Sequence, residues 1–201
     1  MGVQLSRIPS LFFPSLTWRV KTCSKLIYLT FDDGPVPQVT PQVLNILDAF
    51  GWRATFFCVG ENVAKHPDLY REVLARGHRT GNHSYNHIRG FRYTTDEYVQ
   101  NVKKASEIIQ SKLFRPPHGR MTFAQMKALH KEYDIVMWDV ITRDYDQKKS
   151  PERILKAIKR NLRKGSVVVF HDSLKAKENV LEVLPKALEF WKSEGYDWGL
   201  L

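Results

Sequence analysis

Residues 26–35 read LIYLTFDDGP, an apolar run followed by two adjacent carboxylates and a Gly-Pro pair. The apolar run predicts a buried strand, and the Gly-Pro pair predicts a tight turn directly after it. Because consecutive side chains of an extended segment point in opposite directions, Asp32 and Asp33 are expected to have different roles. One interpretation is a base beside a metal ligand, and the other is an Asp-Gly turn with solvated carboxylates.

The remainder of the chain alternates short apolar runs with amphipathic stretches, which is the pattern of an α/β domain with a parallel sheet or barrel. Strands are predicted at residues 26–30, 54–59, 79–81, 113–115, 135–138, 166–170 and 196–200. Helices are predicted at residues 40–50, 62–76, 95–110, 122–132, 150–163 and 180–193. No linker or repeat divides the chain, so we expect one domain.

The composition is that of an ordinary globular protein. Of the 201 residues, 43% are hydrophobic and 26% are charged, which excludes a disordered chain. The net charge of +10 favours anionic partners, and peripheral contact with an anionic envelope surface is one expectation. No nucleic-acid partner is expected, because no nucleic-acid-binding motif accompanies the basic residues. The composition predicts no particular oligomeric state.

Cysteine content and the N-terminal residues bear on the compartment. Cys23 and Cys58 are too few for a disulfide framework or a thiolate metal cage. Pro9 and Pro14 interrupt the apolar residues near the N-terminus, no small-residue cleavage site follows, and no run is long and apolar enough to span a membrane. We therefore expect no cleavable signal peptide, and a cytoplasmic or peripheral membrane protein is favoured.

Polar residues follow five of the predicted strands. They are Asp32 and Asp33, then His83 and His87, then residues 115–119, then residues 139–145, and last His171 and Asp172. In a parallel barrel the loops at the carboxyl ends of the strands converge on one rim, where active sites are built. We therefore expect these residues to share one site.

His83 and His87 are four residues apart, a spacing at which both imidazoles face one point if the segment turns helically. With Asp33 they form a set of two histidines and a carboxylate that leaves coordination positions open, the pattern of a catalytic metal site. Zinc is the expected divalent metal, and the same ligands accept cobalt, nickel or iron. The alternative interpretation is a pair of ordinary surface histidines.

The later segments have plain alternatives as well. Residues 115–119 read RPPHG, which is either part of a site or a proline-rich loop with a surface arginine. Of Asp139, Asp144 and Asp146, one is expected to orient a histidine. His171 ends an apolar run and is either a site residue or a buried structural histidine.

Taken together, TFDDGP, HSYNH, RPPHG, WDVITRDY and VVVFHD occur in the order of the five motifs of polysaccharide deacetylases, carbohydrate esterase family four. The chain resembles that family from about residue 26 to its end. The resemblance implies a distorted (β/α) barrel with about seven parallel strands. It implies one catalytic domain, residues 26–201, after an N-terminal extension, residues 1–25. The implied activity is metal-dependent hydrolysis of N-acetyl groups on a peptidoglycan-like, chitin-like or related amino-sugar glycan.

The resemblance also implies roles for single residues at the metal. Asp33, His83 and His87 would hold the metal. Asp32 would be the general base that takes a proton from water, and Arg115 would keep Asp32 ionised and oriented. An amide needs such parts, because its carbonyl is a poor electrophile and its amine a poor leaving group.

On the leaving-group side, His171 would be the general acid, oriented by Asp144. The family usually has Tyr where this chain has His118, Trp where it has Tyr145, and Leu where it has Val169. The backbone N–H of His118 would still help to stabilise the oxyanion. Tyr145 and Val169 are expected to line the acyl pocket, which we expect to be slightly larger than in the family.

Two other functions remain open from the sequence. One is an amide hydrolase of the same fold that acts on a small cyclic amide or ureide, which the missing export signal favours. The other is a barrel that binds glycan or metal without catalysis, which is disfavoured because acid, base and metal ligands are all present.

Overall fold

A parallel sheet forms the centre of the protein, and the computed structural model describes residues 9–201. The strands in that part of the chain are β1 Leu26–Asp32, β2 Thr55–Cys58, β3 Arg79–Asn82, β4 Leu113–Phe114, β5 Asp134–Ile135, β6 Val140–Ile141, β7 Val167–His171 and β8 Asp197–Trp198. The α-helices there are α1 Pro9–Phe12, α2 Thr40–Phe50, α3 Gly60–Lys65, α4 Pro67–Ala75, α5 Thr95–Ser106, α6 Phe123–Leu129, α7 Pro151–Asn161 and α8 Lys177–Ser193. None of these helices is long and apolar enough to cross a bilayer.

The strand order is β5-β4-β3-β2-β1-β7-β6, and β8 pairs with the start of β1. All of these pairs are parallel. Helices connect most successive strands and return the chain to the same end of the sheet, so the carboxyl ends of the strands lie on one side. The sheet curls into a distorted (β/α) barrel with seven strands in one path, which confirms the predicted fold.

Successive side chains of β1 point alternately to the helix-covered core and to the inside of the barrel. Phe31 points towards the surrounding helices and stacks between Phe56 and Phe170, with ring centroids 4.9 and 6.0 Å away. Burial of each such ring contributes roughly 1.5–3 kcal/mol to stability. Tyr28 belongs to a separate inner cluster, and Asp32 lies on the same side of β1 as Tyr28 because side chains alternate with a period of two. The period therefore places Asp32 inside the barrel at the carboxyl end of β1.

Part of the segment before β1 packs into the fold. Thr17 pairs with Val136, directly after β5, and Arg19 pairs with Ser166, directly before β7. Trp18 between them is 9% exposed and packs in an apolar cluster. Residues 17–19 thus lie between two strands of the sheet. Residues 1–8 of the predicted N-terminal extension lie outside the described residues.

Two predicted elements are wrong in detail. The single helix predicted at residues 62–76 is two helices, α3 and α4, because Pro67 disfavours helical backbone at His66, which has φ −133° and ψ 58°. The strand predicted at residues 135–138 ends at Ile135, and the chain then crosses to pair as β6 with β7. Val136 still forms a bridge with Thr17, but Arg115 donates hydrogen bonds to the carbonyls of Val136 and Met137, so these two carbonyls bond to a side chain.

Candidate active site

Asp32 and Arg115 form a buried ion pair at the end of β1. A terminal guanidinium nitrogen of Arg115 lies 2.6 Å from Oδ1 of Asp32, and Arg115 is 0% exposed. The same nitrogen donates to the hydroxyl of Thr30 at 2.8 Å, and the other two nitrogens donate to the carbonyls of Val136 and Met137. A buried cation is tolerated when its donors are satisfied in this way. Arg115 thereby fixes the orientation of the Asp32 carboxylate.

Asp33, His83 and His87 come together beside that pair, and one ligand atom from each lies within 4.8 Å of the others. Oδ1 of Asp33 is 3.2 Å from Nε2 of His87 and 3.7 Å from Nε2 of His83. The segment between the two histidines is not a helical turn. Asp33, Ser84 and His87 instead have φ values of 83°, 62° and 53°, a left-handed backbone that residues other than glycine seldom adopt. Such strained positions cluster at functional sites, and here they bring the three side chains together.

The donor set fits a divalent metal. The carbonyl of Arg115 can only accept a hydrogen bond, so Nδ1 of His83, 2.7 Å away, must be the protonated nitrogen. The lone pair of Nε2 is then free on the side that faces Asp33. A hydrogen bond from the other ring nitrogen to a carbonyl is the usual arrangement behind a metal-bound histidine. His83 is 2% exposed, and burial lowers its pKa to about 4, so the ring is neutral as a ligand must be.

Nearby histidines keep the Asp33 carboxylate ionised. Burial by itself would raise the pKa of Asp33, but the hydrogen bond with His87 and the charges of His171 and His83 together lower it well below its ordinary value. The carboxylate is therefore ionised throughout the neutral range. A carboxylate beside two imidazole side chains is a donor set that zinc and similar divalent ions accept.

His171 lies across from Asp32, because β1 and β7 are in register with Asp32 beside His171. Asp144 accepts from both the ring and the backbone of His171: Nδ1 lies 2.7 Å from Oδ1 and the backbone N–H donates to Oδ2 at 2.8 Å. Burial by itself would lower the pKa of His171, but the charge and hydrogen bond of Asp144 and the charges of Asp33 and Asp32 raise it to about 9. His171 is therefore cationic at neutral pH.

The other two aspartates of this segment have different surroundings. Asp139 is buried and pairs with Arg163 at 2.6 Å, away from the histidines. The backbone N–H of Asp146 donates to the carbonyl of Arg143 in a turn. Of the three candidates, the structure therefore brings Asp144 to His171.

His118 lies at the mouth of the site. Its φ is 58°, and its ring meets the ring of His87 edge to face with centroids 4.6 Å apart. Arg89 donates a hydrogen bond from Nε to Nε2 of His118 at 3.4 Å. Burial, followed by the charges of His87 and Arg89, lowers the pKa of His118 to about 4. This ring is therefore neutral and lies next to a metal-ligand candidate.

Tyr145 and Val169 stand on two sides of His171. The Tyr145 ring meets the His171 ring edge to face at 4.8 Å and is 38% exposed. Val169 is fully buried and precedes His171 by two positions on β7, so it points to the same side one layer deeper. The two residues expected to line the acyl pocket, Tyr145 and Val169, thus both lie beside His171. Their effect on acyl preference stays a prediction.

The sequence interpretation gave no structural role to Asp172, yet it holds the loop that carries Asp33. Its carboxylate accepts from the backbone N–H of Gly34 at 3.0 Å and from the hydroxyl of Thr40 at 2.6 Å, and that hydroxyl accepts from the N–H of Val36 at 2.7 Å. A Cβ on Gly34 would come within 2.0 Å of Asp172, so only glycine fits there. The signal in the sequence was the aspartate that directly follows His171.

The family model described as polysaccharide deacetylase matches residues 19–138. A peptidoglycan-N-acetylglucosamine deacetylase of Bacillus cereus is 36% identical over 190 residues, which cover 90% of this chain and 88% of that protein. Further curated relatives are longer, and the chain spans 56% of one and 38% of another.

Solved structures agree with this match. The crystal structure of a peptidoglycan N-acetylglucosamine deacetylase superposes with a TM-score of 0.89 at 29% identity, over 96% of this chain and 94% of that one. A pseudoenzyme of carbohydrate esterase family four from Bacillus anthracis superposes with a TM-score of 0.82 at 25% identity, over 92% of this chain and 66% of that one. The fold thus occurs in an enzyme and in a pseudoenzyme, so any activity must be argued from the site residues.

Proposed function

The chain belongs to the polysaccharide deacetylase family, and on that premise we propose that it removes N-acetyl groups from an N-acetylated amino-sugar glycan with the residues described above. One observation supports this most strongly. Asp32, held by Arg115, and His171, held by Asp144, stand side by side on adjacent strands at the edge of the Asp33, His83 and His87 cluster. Hydrolysis of an amide requires a base and an acid on the two sides of the reacting carbon, and this arrangement offers both.

The proposed metal ligands are Asp33, His83 and His87, and zinc is the proposed ion because two imidazoles and a carboxylate suit it. A bound divalent cation supplies Lewis acidity, which polarises the amide carbonyl and makes water more acidic. The protein holds the ligands for this task. His83 is oriented by the carbonyl of Arg115, and the backbone carbonyl of Asp33 accepts from the side-chain amide of Asn62 at 2.8 Å.

Asp32 is the proposed general base. Its carboxylate takes the proton of the attacking water, and the hydrogen bond from Arg115 keeps that carboxylate aimed into the barrel. Arg115 is itself held by Thr30, Val136 and Met137, so the pair does not have to reorganise during the reaction. Removal of the Asp32 charge is expected to slow turnover and to leave metal binding intact, because the metal ligands are unchanged.

His171 is the proposed general acid. Because Nδ1 is hydrogen-bonded to Asp144, Nε2 is the nitrogen left to donate a proton to the departing amine. The pKa of about 9 means that this proton is present at neutral pH. The backbone N–H of His118 is the proposed donor to the oxygen that becomes negative as the carbonyl is attacked. The amine then leaves neutral and acetate remains.

The experiment is a screen for acetate release by the full chain with added zinc, cobalt or nickel. The substrates are peptidoglycan, chitooligosaccharides and a set of cyclic amides and ureides. Acetate from a glycan supports the proposal. Hydrolysis of the cyclic compounds alone would establish the alternative amide hydrolase, and stoichiometric metal binding without any turnover would establish a non-catalytic barrel.

A further inference from the structure

Two loops beside the candidate site have an unusual composition. Residues 89–93 read RGFRY and residues 118–123 read HGRMTF, so the two stretches together hold three arginines and no acidic residue. Phe91 is 66% exposed and Phe123 is 68% exposed. These two stretches are called the arginine loops below. Exposed apolar surface with a polar rim marks interaction sites when it is contiguous, and these loops offer apolar rings and cations together.

The arginine loops adjoin the candidate metal site. Arg89 donates to the ring of His118, and that ring contacts His87. Arg120 follows His118 by two positions in the chain and is exposed, so two arginines lie near this ring. A glycan that presents one sugar to His87 and extends past His118 would place its next sugar beside these arginines.

The loops are fixed before any ligand arrives. Gln125 is 0% exposed, and its side-chain amide donates to the carbonyls of Gly90 and Tyr93 at 2.9 and 3.1 Å. Its carbonyl oxygen accepts from the backbone N–H of Thr122 at 2.9 Å, which joins one loop to the other. A Cβ on Gly90 would lie 2.8 Å from Cα of Met121, so the loops touch through their backbones. Such preorganisation lowers the entropy that binding costs.

We propose that the arginine loops bind a carboxylate-bearing sugar next to the sugar that is deacetylated, so that the protein selects an anionic glycan over a neutral one. Guanidinium groups pair with carboxylates through two parallel hydrogen bonds, and exposed aromatic rings such as Phe91 and Phe123 cover the apolar faces of sugars. N-Acetylmuramic acid carries such a carboxylate, whereas chitin is neutral. The inference rests on the proposed function and names the substrate that this function would prefer.

The experiment separates binding from catalysis. The full chain with the substitution Asp32→Asn, which retains the metal ligands, is titrated calorimetrically with two oligosaccharides of equal length. One is a tetrasaccharide of alternating N-acetylglucosamine and N-acetylmuramic acid without stem peptides, so that its lactyl carboxylates are free, and the other is chitotetraose. We expect the anionic ligand to bind about tenfold more tightly, an advantage that shrinks as salt is added. Equal affinities, or an advantage that does not respond to salt, would overturn the inference.

Substitutions locate the effect. Arg92→Gln with Arg120→Gln should remove the preference and leave the affinity for chitotetraose unchanged, whereas Phe123→Ala should weaken both ligands. Arg153→Gln, an exposed arginine on α7, is the matched control and should change neither. A preference that survives the double substitution would refute the role of the arginine loops. Acetate release is measured separately in the unsubstituted chain, so a catalytically inactive protein that keeps the binding preference would overturn the proposed function and leave the arginine loops as a binding site that selects anionic sugars.

Discussion

Asp32 and Asp33 are neighbours in the chain and yet belong to two different kinds of structure. Asp32 ends a strand, is 4% exposed and is paired with a fully buried arginine. Asp33 begins a loop with left-handed backbone, has a side chain 26% exposed and faces two histidines. The sheet register therefore positions the groups proposed to move protons, and strained loops position the groups proposed to hold the metal. Stability and metal affinity should consequently respond differently to changes on the two sides.

The largest effect is expected from substitution of a proposed metal ligand on the loops. His87→Ala removes one of three ligands, so affinity for zinc should fall more than about 100-fold and acetate release should fall to background. The thermal midpoint of the metal-free protein should change little, because the His87 side chain is 31% exposed. His130→Ala, an exposed histidine that follows α6, is the matched control. Full metal content in purified His87→Ala would refute the ligand assignment.

Substitution of Asp32, at the end of the strand, should lower stability and leave metal binding intact, the opposite of the result expected for His87→Ala. Asp32→Asn keeps the shape but cannot take a proton, so turnover should fall by about 100-fold or more while bound metal stays stoichiometric. Because the charge of Arg115 then lies buried without its carboxylate, the thermal midpoint should drop by several degrees. Metal analysis, kinetics and calorimetry on one preparation check this. Near-normal turnover would exclude Asp32 as the base.

The link between the two sides is tested through Asp172. Thr40→Val deletes the hydroxyl that joins the Asp172 carboxylate to the Asp33 loop, and zinc affinity should fall about tenfold, as for other groups that support metal ligands. Thr40→Ser keeps the hydroxyl and should restore the affinity. A purely structural role would lower the thermal midpoint of both apo and metal-bound protein equally and leave zinc affinity unchanged, and that result would contradict this prediction.

The smallest effect at neutral pH concerns the acid. A histidine acid works only while protonated, and the raised pKa of His171 keeps it protonated until the pH passes about 9, where the alkaline limb of the rate profile should lie. Asp144→Asn removes the negative charge that raises this pKa, so the alkaline limb should move to lower pH. Rates measured from pH 6 to 10 give the limb directly. An unmoved limb would show that Asp144 does not set it.

The sequence predicted the strands and the site because both depend on local pattern. The run at residues 26–30 needs only apolar residues to predict β1, and five polar segments after strands predicted a common rim, which the structure has. The split of β5 and β6 escaped prediction because it depends on Arg115, which is distant in sequence and bonds to Val136 and Met137. The spacing of His83 and His87 indicated that both could face one point if the segment turned helically, and left-handed backbone at Ser84 and His87 brings them together instead.

The hydrogen bonds of Arg115 limit how this sequence can change in evolution. Its guanidinium group is hydrogen-bonded to β1 through Thr30 and Asp32 and to the crossing segment through Val136 and Met137, so it joins distant parts of the barrel. A lysine has three donors at one point and cannot reach all four acceptors. A descendant that abandoned catalysis would be free to replace the ligands on the loops, but loss of this arginine would leave buried carbonyls and a carboxylate unpaired. In lineages that lose activity, the Asp32–Arg115 ion pair should therefore be retained longer than the metal ligands, because folding requires it.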